Sequence, residues 1–195
     1  MAVLYNINKN NYVSKPKNST IYTPEQVSIY LYNVLSKHIQ PEVVLDPAIG
    51  KGSLVIPWAN GRYIIGVDID KQGKKYCNTF IHGKFEDIET WSHQTPDLIV
   101  CNPPFNGAEK RRLYPEVFLR HMVELFGNMT PMLMVVPIGM RTNICVKSNR
   151  WQWMMKNLDI SSIITLPIDC FGPKFHTEIL VFNVSGLKAH YFLNS

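Results

Sequence analysis

The chain has 195 residues, enough for one domain with a sizeable core, and its 46% hydrophobic and 18% charged residues exclude a disordered or fibrous protein. No segment approaches the roughly 18 consecutive apolar residues that a membrane span needs, and the polar first residues predict no signal peptide. The net charge of +5 favours a polyanionic partner only weakly.

The polar segment 1–20, rich in Asn and Lys, predicts an N-terminal arm ahead of the domain. The next residues are typical of a helix start, with Thr23 as the N-cap, Pro24 at the first position and Gln26 at the third. An apolar stripe behind this start predicts a helix that runs to about His38.

Apolar runs bounded by polar or turn residues predict a series of short strands. In chain order they cover 42–46, 63–67, 79–82, 98–101, 132–136, 160–166 and 178–184, with a further candidate at 190–193. Helices are predicted from about residue 53, over 115–126 and over 151–158. Because strands alternate with helices, we expect an α/β fold with a largely parallel sheet and helices on both faces. Ligands of such sheets bind beyond the carboxyl ends of the strands.

Two glycines follow the first predicted strand in the run Asp46-Pro47-Ala48-Ile49-Gly50-Lys51-Gly52. Glycines let the backbone approach a ligand closely, and a helix starting after them would offer free N–H groups to a carboxylate or phosphate. The spacing departs from Gly-x-Gly-x-x-Gly, so a dinucleotide is not the expected ligand. A simple turn is the alternative interpretation.

Acidic residues follow the second and third predicted strands. Asp68 can accept both hydroxyls of a ribose, or it can cap the segment that follows. Asp87 can accept a hydrogen bond from the exocyclic amine of an adenine while Ile88 covers the face of the ring. A solvated acidic loop explains this second pair equally well, and Glu86 and Glu89 compete with Asp87 for the role.

Two prolines end the fourth predicted strand in the run Asn102-Pro103-Pro104-Phe105. They hold the chain extended, so the Asn102 side chain and the Pro103 carbonyl become rigid acceptors beside the flat ring of Phe105. Two acceptors and an aromatic wall suit a planar ring that carries an exocyclic amine. The alternative for Phe105 is a core aromatic, but its position after two prolines at a strand end predicts that it is exposed.

These motifs, with Tyr22-Thr23-Pro24 before them and the segment 164–171 after them, occur in the order found in amino-methyltransferases. Over about residues 20–184 the chain resembles N6-adenine DNA methyltransferases of the gamma arrangement, above all the methylation subunits of type I restriction-modification systems. The resemblance implies a Rossmann-like S-adenosylmethionine-dependent methyltransferase fold with a mostly parallel seven-stranded sheet and an antiparallel late strand. It also implies that residues 21–195 form the catalytic domain. The family normally adds a large target-recognition domain, and a separate one is not expected in this sequence.

The resemblance assigns roles to residues at the strand ends. S-adenosylmethionine would be held by Tyr22, Thr23, Pro24, Asp46, Pro47, Ala48, Gly50, Gly52, Asp68, Ile69, Asp87, Ile88 and Asn102. The catalytic segment would be Asn102, Pro103, Pro104 and Phe105. Phe171 would stack on a target base. Apart from the resemblance, basic residues flank the predicted site and are candidates for neutralising phosphates, namely Lys110, Arg111, Arg112 and Arg141. Core packing for Phe171 and solvated loops for the basic residues are the alternatives.

The resemblance implies methyl transfer to the exocyclic N6 of adenine in DNA, with target recognition supplied by a separate specificity subunit or by self-association. One alternative keeps the cofactor and changes the acceptor to a ribosomal RNA base or a protein glutamine amide. Another is a non-catalytic subunit of a DNA modification complex that retains the cofactor fold. Lys51 stands where the family commonly has a small residue, and either adds a cation near the methionine carboxylate or faces solvent.

Neither a metal nor a membrane partner is predicted. The six histidines show no metal-ligand pattern, and the four cysteines are scattered without Cys-x-x-Cys spacing. Such cysteines are typical of reduced, mostly buried thiols, which predicts a cytoplasmic protein.

Overall fold

The computed structural model describes residues 21–105, 113–142, 144–172 and 176–193. Its α-helices are α1 (Glu25–Leu35), α2 (Tyr114–Phe126), α3 (Gly139–Thr142) and α4 (Asn149–Asn157). Its strands are β1 (Val43–Asp46), β2 (Tyr63–Asp68), β3 (Thr79–His82), β4 (Leu98–Cys101), β5 (Met132–Pro137), β6 (Ile160–Thr165), β7 (Thr177–Phe182) and β8 (His190–Phe192). Short 3₁₀ helices cover Ile56–Trp58, Gln72–Tyr76 and Phe85–Asp87. The predicted arm over residues 1–20 lies outside the described residues.

The strands of the described residues form one sheet in the order β3-β2-β1-β4-β5-β7-β6-β8. The strands from β3 to β5 are parallel, and β7 runs antiparallel to both β5 and β6. The chain builds outward from β1 to β3 and then places β4 on the other side of β1. In open sheets of this kind, such a reversal of strand order leaves a ligand-binding crevice at the carboxyl ends of the two strands.

Successive side chains of the central strands pack on opposite faces of the sheet. In β1, Val44 joins the apolar cluster that contains α1, and Leu45 joins the cluster that contains α2 and Met154 of α4. Because both faces are covered, the central strands are continuous apolar runs rather than alternating ones. The predicted α/β fold, with a mostly parallel sheet, helices on both faces and an antiparallel late strand, is confirmed.

Helix α1 begins later than the sequence predicts. Its N-cap is Pro24, in an extended conformation, and no side chain caps the first turn. The prediction of Thr23 as N-cap is wrong, because the Thr23 hydroxyl accepts a hydrogen bond from Asn102 instead. The helix ends at Leu35 rather than at His38.

The helix predicted from residue 53 is absent. The chain makes successive turns there, and only Ile56–Trp58 forms a short 3₁₀ helix. Pro57 has no backbone N–H to donate within a longer α-helix, and its ring would clash with the preceding turn. The segment instead buries Leu54 and Trp58 in the core, where the Trp58 ring packs edge-on against Tyr32 of α1 at 4.8 Å between centroids.

The sheet has one strand more than the seven that the resemblance implies. Strand β8, the further candidate of the sequence, pairs in parallel with β6 at the sheet edge. The Tyr30 hydroxyl of α1 donates to the Phe192 carbonyl at 3.0 Å and fastens this strand to the helix layer. Among the helices that the structure describes, none is long and apolar enough to cross a membrane.

Candidate active site

A cleft of about 420 Å³ lies at the carboxyl ends of β1, β2 and β4, where the strand order reverses. The predicted site residues that line it are Tyr22, Thr23, Asp46, Pro47, Ala48, Gly50, Asp68, Ile69, Asn102, Pro103, Pro104 and Phe105. The predicted cofactor-binding residues outside its lining are Pro24, Gly52, Asp87 and Ile88. The volume falls within the range of about 300–1,000 Å³ that is typical of small-molecule sites.

The glycines of the turn after β1 adopt left-handed conformations, with φ of +51° at Gly50 and +85° at Gly52. A Cβ at Gly50 would lie 3.0 Å from Cε1 of the Tyr22 ring, and one at Gly52 would lie 2.5 Å from Cδ2 of Tyr76. Backbone conformation and close packing therefore both require glycine at these positions. Gly50 lines the cleft, whereas Gly52 shapes the turn from outside the lining.

Asp68, at the end of β2, holds this turn in place. Its Oδ2 accepts a hydrogen bond from the Gly50 N–H at 2.8 Å, and its Oδ1 accepts one from the Asp70 N–H at 2.8 Å. Each carboxylate oxygen can accept a further hydrogen bond, so Asp68 can still receive two hydroxyl groups from the cleft. The helix N-terminus expected as an anion site is missing, and the Gly50 N–H serves Asp68 instead.

Asp46 is the most deeply buried acid of the cleft, with 1% of its surface exposed. Its Oδ1 accepts from the Ala48 N–H at 3.0 Å. Burial raises the pKa of Asp46 to about 8, opposed by the Ala48 hydrogen bond and reinforced by the negative charge of Asp68. The carboxyl group therefore holds a proton at neutral pH until a cation comes close to it.

Asn102, directly after β4, has both hydrogens of its side-chain amide engaged. Its Nδ2 donates to the Ile21 carbonyl at 2.9 Å and to the Thr23 hydroxyl at 3.0 Å. Within the part of the chain that the structure describes, no donor reaches Asn102 Oδ1. The residue is half-buried and lines the cleft, so its oxygen is the atom left to accept a hydrogen bond from a ligand.

Phe105 is 6% exposed, and the prediction that it is exposed is wrong. The chain turns inward after Pro104, and the ring joins the apolar cluster on the α1 face of the sheet while one side still lines the cleft. The two prolines thus direct this aromatic residue into the core rather than towards solvent. Its predicted role as the aromatic wall beside a planar ring stays a prediction.

The loop after β3 presents Glu86 rather than Asp87 to the cleft. The 3₁₀ helix Phe85–Asp87 buries Phe85 at 1% exposure and leaves Asp87 exposed on the outside. Sequence reasoning named Glu86 only as a competitor. The signal that favours it is the large apolar Phe85, whose burial sets which neighbouring acid faces the ligand.

Tyr114, at the start of α2, is a lining residue that sequence reasoning missed. Partial burial and the nearby negative charge of Glu86 raise the pKa of its hydroxyl. The neutral phenol is a hydrogen-bond donor beside a carboxylate. Together these two residues form a polar part of the cleft lining.

The predicted nucleic-acid contacts lie apart from the cleft lining or outside the described residues. Arg141 donates from Nε to Glu178 Oε1 at 3.0 Å and from Nη2 to Oε2 at 2.9 Å. This bidentate pair with a buried carboxylate raises the pKa of Arg141. Phe171 is 9% exposed and packs in the core cluster. The three basic residues Lys110, Arg111 and Arg112 lie outside the described residues.

All four cysteines are free thiols, and Cys145 is exposed. Cys101, next to Asn102, is fully buried, and burial raises its pKa well above the ordinary value, so it is not a reactive thiolate. The described residues contain no group of three or more His, Cys, Asp or Glu that could hold a metal ion.

Comparison with known proteins adds a sequence relative and a fold. No protein-family model matches the chain. The methylase subunit of the type I restriction enzyme EcoEI from Escherichia coli is 23% identical over 205 aligned positions, which cover 83% of this chain and 41% of that subunit. A Listeria monocytogenes protein described as a class I S-adenosylmethionine-dependent methyltransferase has a TM-score of 0.71 and 16% identity, covering 91% of this chain and 67% of that one. The chain has the class I S-adenosylmethionine-dependent methyltransferase fold.

A second solved structure with this methyltransferase fold is described as a modification subunit of a type I restriction enzyme from Vibrio vulnificus. It has a TM-score of 0.71 and 19% identity, and the match covers 90% of this chain and 47% of that one. The resemblance predicted from the motifs is therefore confirmed at the level of sequence similarity and fold. The chain spans less than half the length of the curated relative that it matches.

Proposed function

We propose that this chain transfers a methyl group from S-adenosylmethionine to the exocyclic N6 of adenine in DNA. The observation that carries the proposal is the orientation of Asn102, whose amide oxygen is left to accept a hydrogen bond in the cleft that also contains Asp46 and Asp68. The similarity to a type I methylase subunit supports DNA as the substrate. We further propose that residues 21–195 act as the catalytic domain.

The residues that line the cleft fit S-adenosylmethionine. Its described lining includes four carboxyl groups (Asp46, Asp68, Asp70 and Glu86) and two lysines (Lys51 and Lys84). An excess of acids suits a ligand that carries a sulfonium and an ammonium group. Apolar Ile49, Ile69 and Phe85 offer surface for the adenine ring. We assign the methionine ammonium to Asp46, the ribose to Asp68, and the adenine amine to Glu86 in place of Asp87.

Asn102 and the Pro103 carbonyl act on the acceptor amine. When bound, the cofactor supplies an electrophilic methyl group on sulfur. If each oxygen accepts one N–H of the adenine amine, the nitrogen becomes more tetrahedral and its lone pair turns towards the cleft. The lone pair forms the new N–C bond as the S–C bond breaks with its electrons remaining on sulfur. The methylated nitrogen then releases its proton to water, so no strong base is required.

An adenine inside a duplex cannot reach this cleft and must be extruded, at a cost of a few kcal/mol. We assign the accessible side of Phe105 as the wall against which the extruded ring rests, and base–aromatic stacking contributes roughly 1–3 kcal/mol. Phe171 is proposed as a second aromatic contact. We also propose that a specificity subunit or a second copy of the chain supplies target recognition. The proposed location of the protein is the cytoplasm.

The proposal is tested by incubating the protein with methyl-labelled S-adenosylmethionine and separate pools of DNA, RNA and protein, followed by nucleoside analysis. We expect label in DNA as N6-methyladenine. Asn102→Ala should abolish transfer while S-adenosylhomocysteine still binds within a few-fold, and the exposed Asn60→Ala serves as the matched control. Label found instead in RNA or in a protein glutamine amide would show that DNA adenine is not the acceptor. Unchanged transfer by Asn102→Ala would refute the proposed chemistry.

A further inference from the structure

We propose that Thr23 is a positioning residue that holds the Asn102 amide with its oxygen turned towards the acceptor amine. The inference rests on the proposed role of Asn102 as a hydrogen-bond acceptor. It concerns a bond between two side chains 79 positions apart in the chain, Asn102 Nδ2 to Thr23 Oγ1 at 3.0 Å.

The hydrogen-bonding partners decide which way the amide faces. A primary amide has two N–H donors on nitrogen and only acceptor sites on oxygen. The Ile21 carbonyl can only accept, and it lies 2.9 Å from Asn102 Nδ2. If the amide rotated by half a turn, its oxygen would face this carbonyl oxygen and both would lose their partner. The Ile21 carbonyl and the Thr23 hydroxyl therefore hold Asn102 Oδ1 on the side away from them.

The segment that carries these two partners is held at Tyr22 in its middle and at its C-terminal end. The Tyr22 ring lies against Gly50, and the ammonium of Lys51 lies 4.3 Å from its centroid. At the C-terminal end the chain enters α1, whose inner face is buried in the core. Thr23 is 6% exposed, so water competes little for its hydroxyl. The Ile21 carbonyl and the Thr23 hydroxyl therefore hold the Asn102 amide rigidly, unlike a contact on a flexible surface.

A preorganised acceptor contributes more to the transition state than one that must be ordered during the reaction. Thr23→Val keeps the shape of the side chain but removes the oxygen, which leaves a buried amide N–H unpaired. The typical net contribution of one hydrogen bond corresponds to a change of about five- to ten-fold in the correctly oriented population. Thr23→Ser retains the hydroxyl and should restore the orientation.

The experiment compares Thr23→Val, Thr23→Ala and Thr23→Ser in the full chain. Single-turnover methyl transfer to DNA is measured at saturating S-adenosylmethionine, and S-adenosylhomocysteine affinity by calorimetry. The matched control is Thr130→Val, which removes a hydroxyl bonded to the Phe126 carbonyl at the opposite end of the sheet. We expect the Val and Ala variants to transfer methyl about five- to ten-fold more slowly with affinity changed less than three-fold. Thr130→Val should keep the wild-type rate, and Thr23→Ser should recover most of the rate that Thr23→Val loses.

Hydrogen exchange of the Asn102 side-chain amide, followed by NMR, reports the orientation without any turnover. In the wild type we expect two separate, slowly exchanging Nδ2 hydrogens, and faster exchange in Thr23→Val. A Thr23→Val protein with wild-type rate, or with weaker cofactor binding and an unchanged saturated rate, would overturn the positioning role. If the wild type transfers no methyl group to DNA, the proposed function fails, and the amide signals still decide whether Thr23 orients Asn102.

Discussion

Asp46 is almost completely buried, yet it lines a cleft that contains three other acidic residues. Its pKa of about 8 lies well above the ordinary value of 3.8 for this carboxyl group, chiefly because burial disfavours the charged form. In the unfolded chain the group ionises near pH 4, whereas in the folded chain it ionises near pH 8. Between these values unfolding releases a proton, so the stability associated with protonated Asp46 is complete below about pH 4 and is lost as the pH rises to 8.

We therefore predict that the free energy of unfolding of the wild type falls, relative to Asp46→Asn, by up to about 1.4 kcal/mol per pH unit over this window. Above pH 8 the difference between the two proteins should become constant. Urea unfolding at pH 5, 6.5 and 8.5 checks this, because the other titrating groups are common to both proteins. Parallel curves for the two proteins would mean that Asp46 ionises normally in the fold.

Lys51 is a second residue for which the structure predicts a role in ligand binding. Its ammonium lies 4.3 Å from the centroid of the Tyr22 ring, and both residues line the cleft beside the glycine turn. We predict that Lys51 pairs with the cofactor carboxylate. Lys51→Met should then bind S-adenosylhomocysteine roughly five-fold more weakly, a modest loss because the side chain is exposed.

The matched ligand is 5′-methylthioadenosine, which lacks the amino-acid carboxylate and should bind Lys51→Met as well as it binds the wild type. Lys51→Arg should retain most of the affinity, and the exposed Lys71→Met, outside the cleft lining, should have no effect. Calorimetry with both ligands measures the difference. Equal weakening for the two ligands would show that Lys51 acts on the shape of the turn and not on the carboxylate.

At the level of secondary-structure elements, one buried carboxylate connects three helices. Glu116 of α2 accepts from Arg120 at 2.9 and 3.0 Å, and from Arg150 of α4 at 2.8 Å. Arg150 also donates to the carbonyls of Gly139 and Met140 in α3. Since α3 follows β5, whose carboxyl end lies beside that of β4, this network supports the wall next to the acceptor site.

Glu116→Gln should lower the free energy of unfolding by about 2–4 kcal/mol, because two partly buried guanidinium groups lose their shared counter-charge. Glu124→Gln is the matched control, since this glutamate of the same helix is exposed and, among the described residues, pairs only with His121. It should change stability by less than about 0.5 kcal/mol. Denaturant unfolding gives both values. A loss for Glu116→Gln no larger than that of the control would show that the network does not hold the helices together.

The strands were predictable because short apolar runs between turn residues have few alternatives in an α/β chain. The prediction of a helix after residue 53 was wrong, even though Pro57 is a local signal against a longer α-helix. The burial of Leu54 and Trp58 in the core accompanies the turns that replace it. The choice between Glu86 and Asp87 depends on a single residue of register in a 3₁₀ helix, which the burial of Phe85 determines. The hydrogen bond between Asn102 and Thr23 joins residues that are 79 positions apart, and no local sequence pattern predicts it.

For the whole molecule, the excess of positive charge makes salt dependence the direct test of DNA binding. Each phosphate neutralised contributes about −0.9 to the slope of log K against log salt for duplex DNA. Replacing Lys110, Arg111 and Arg112 by Ala should therefore reduce the slope by up to about 3. A matched control is the triple replacement of the dispersed, exposed Lys37, Lys156 and Lys188. If both triple variants gave the same slope, the result would contradict phosphate contacts by Lys110, Arg111 and Arg112.

The strand order also predicts that the two halves of the cleft form at different times during folding. Asp46 ends β1, Asp68 ends β2, and Asp70 follows β2 directly, so this side of the cleft closes through the pairing of two consecutive strands. The amide of Asn102 depends on the pairing of β4 with β1 and on the segment before α1, so we expect it to meet its partners only after both are in place. Contacts of such long range form late. A refolding chain should regain its pocket for the nucleoside before it regains the geometry that presents an amine to it.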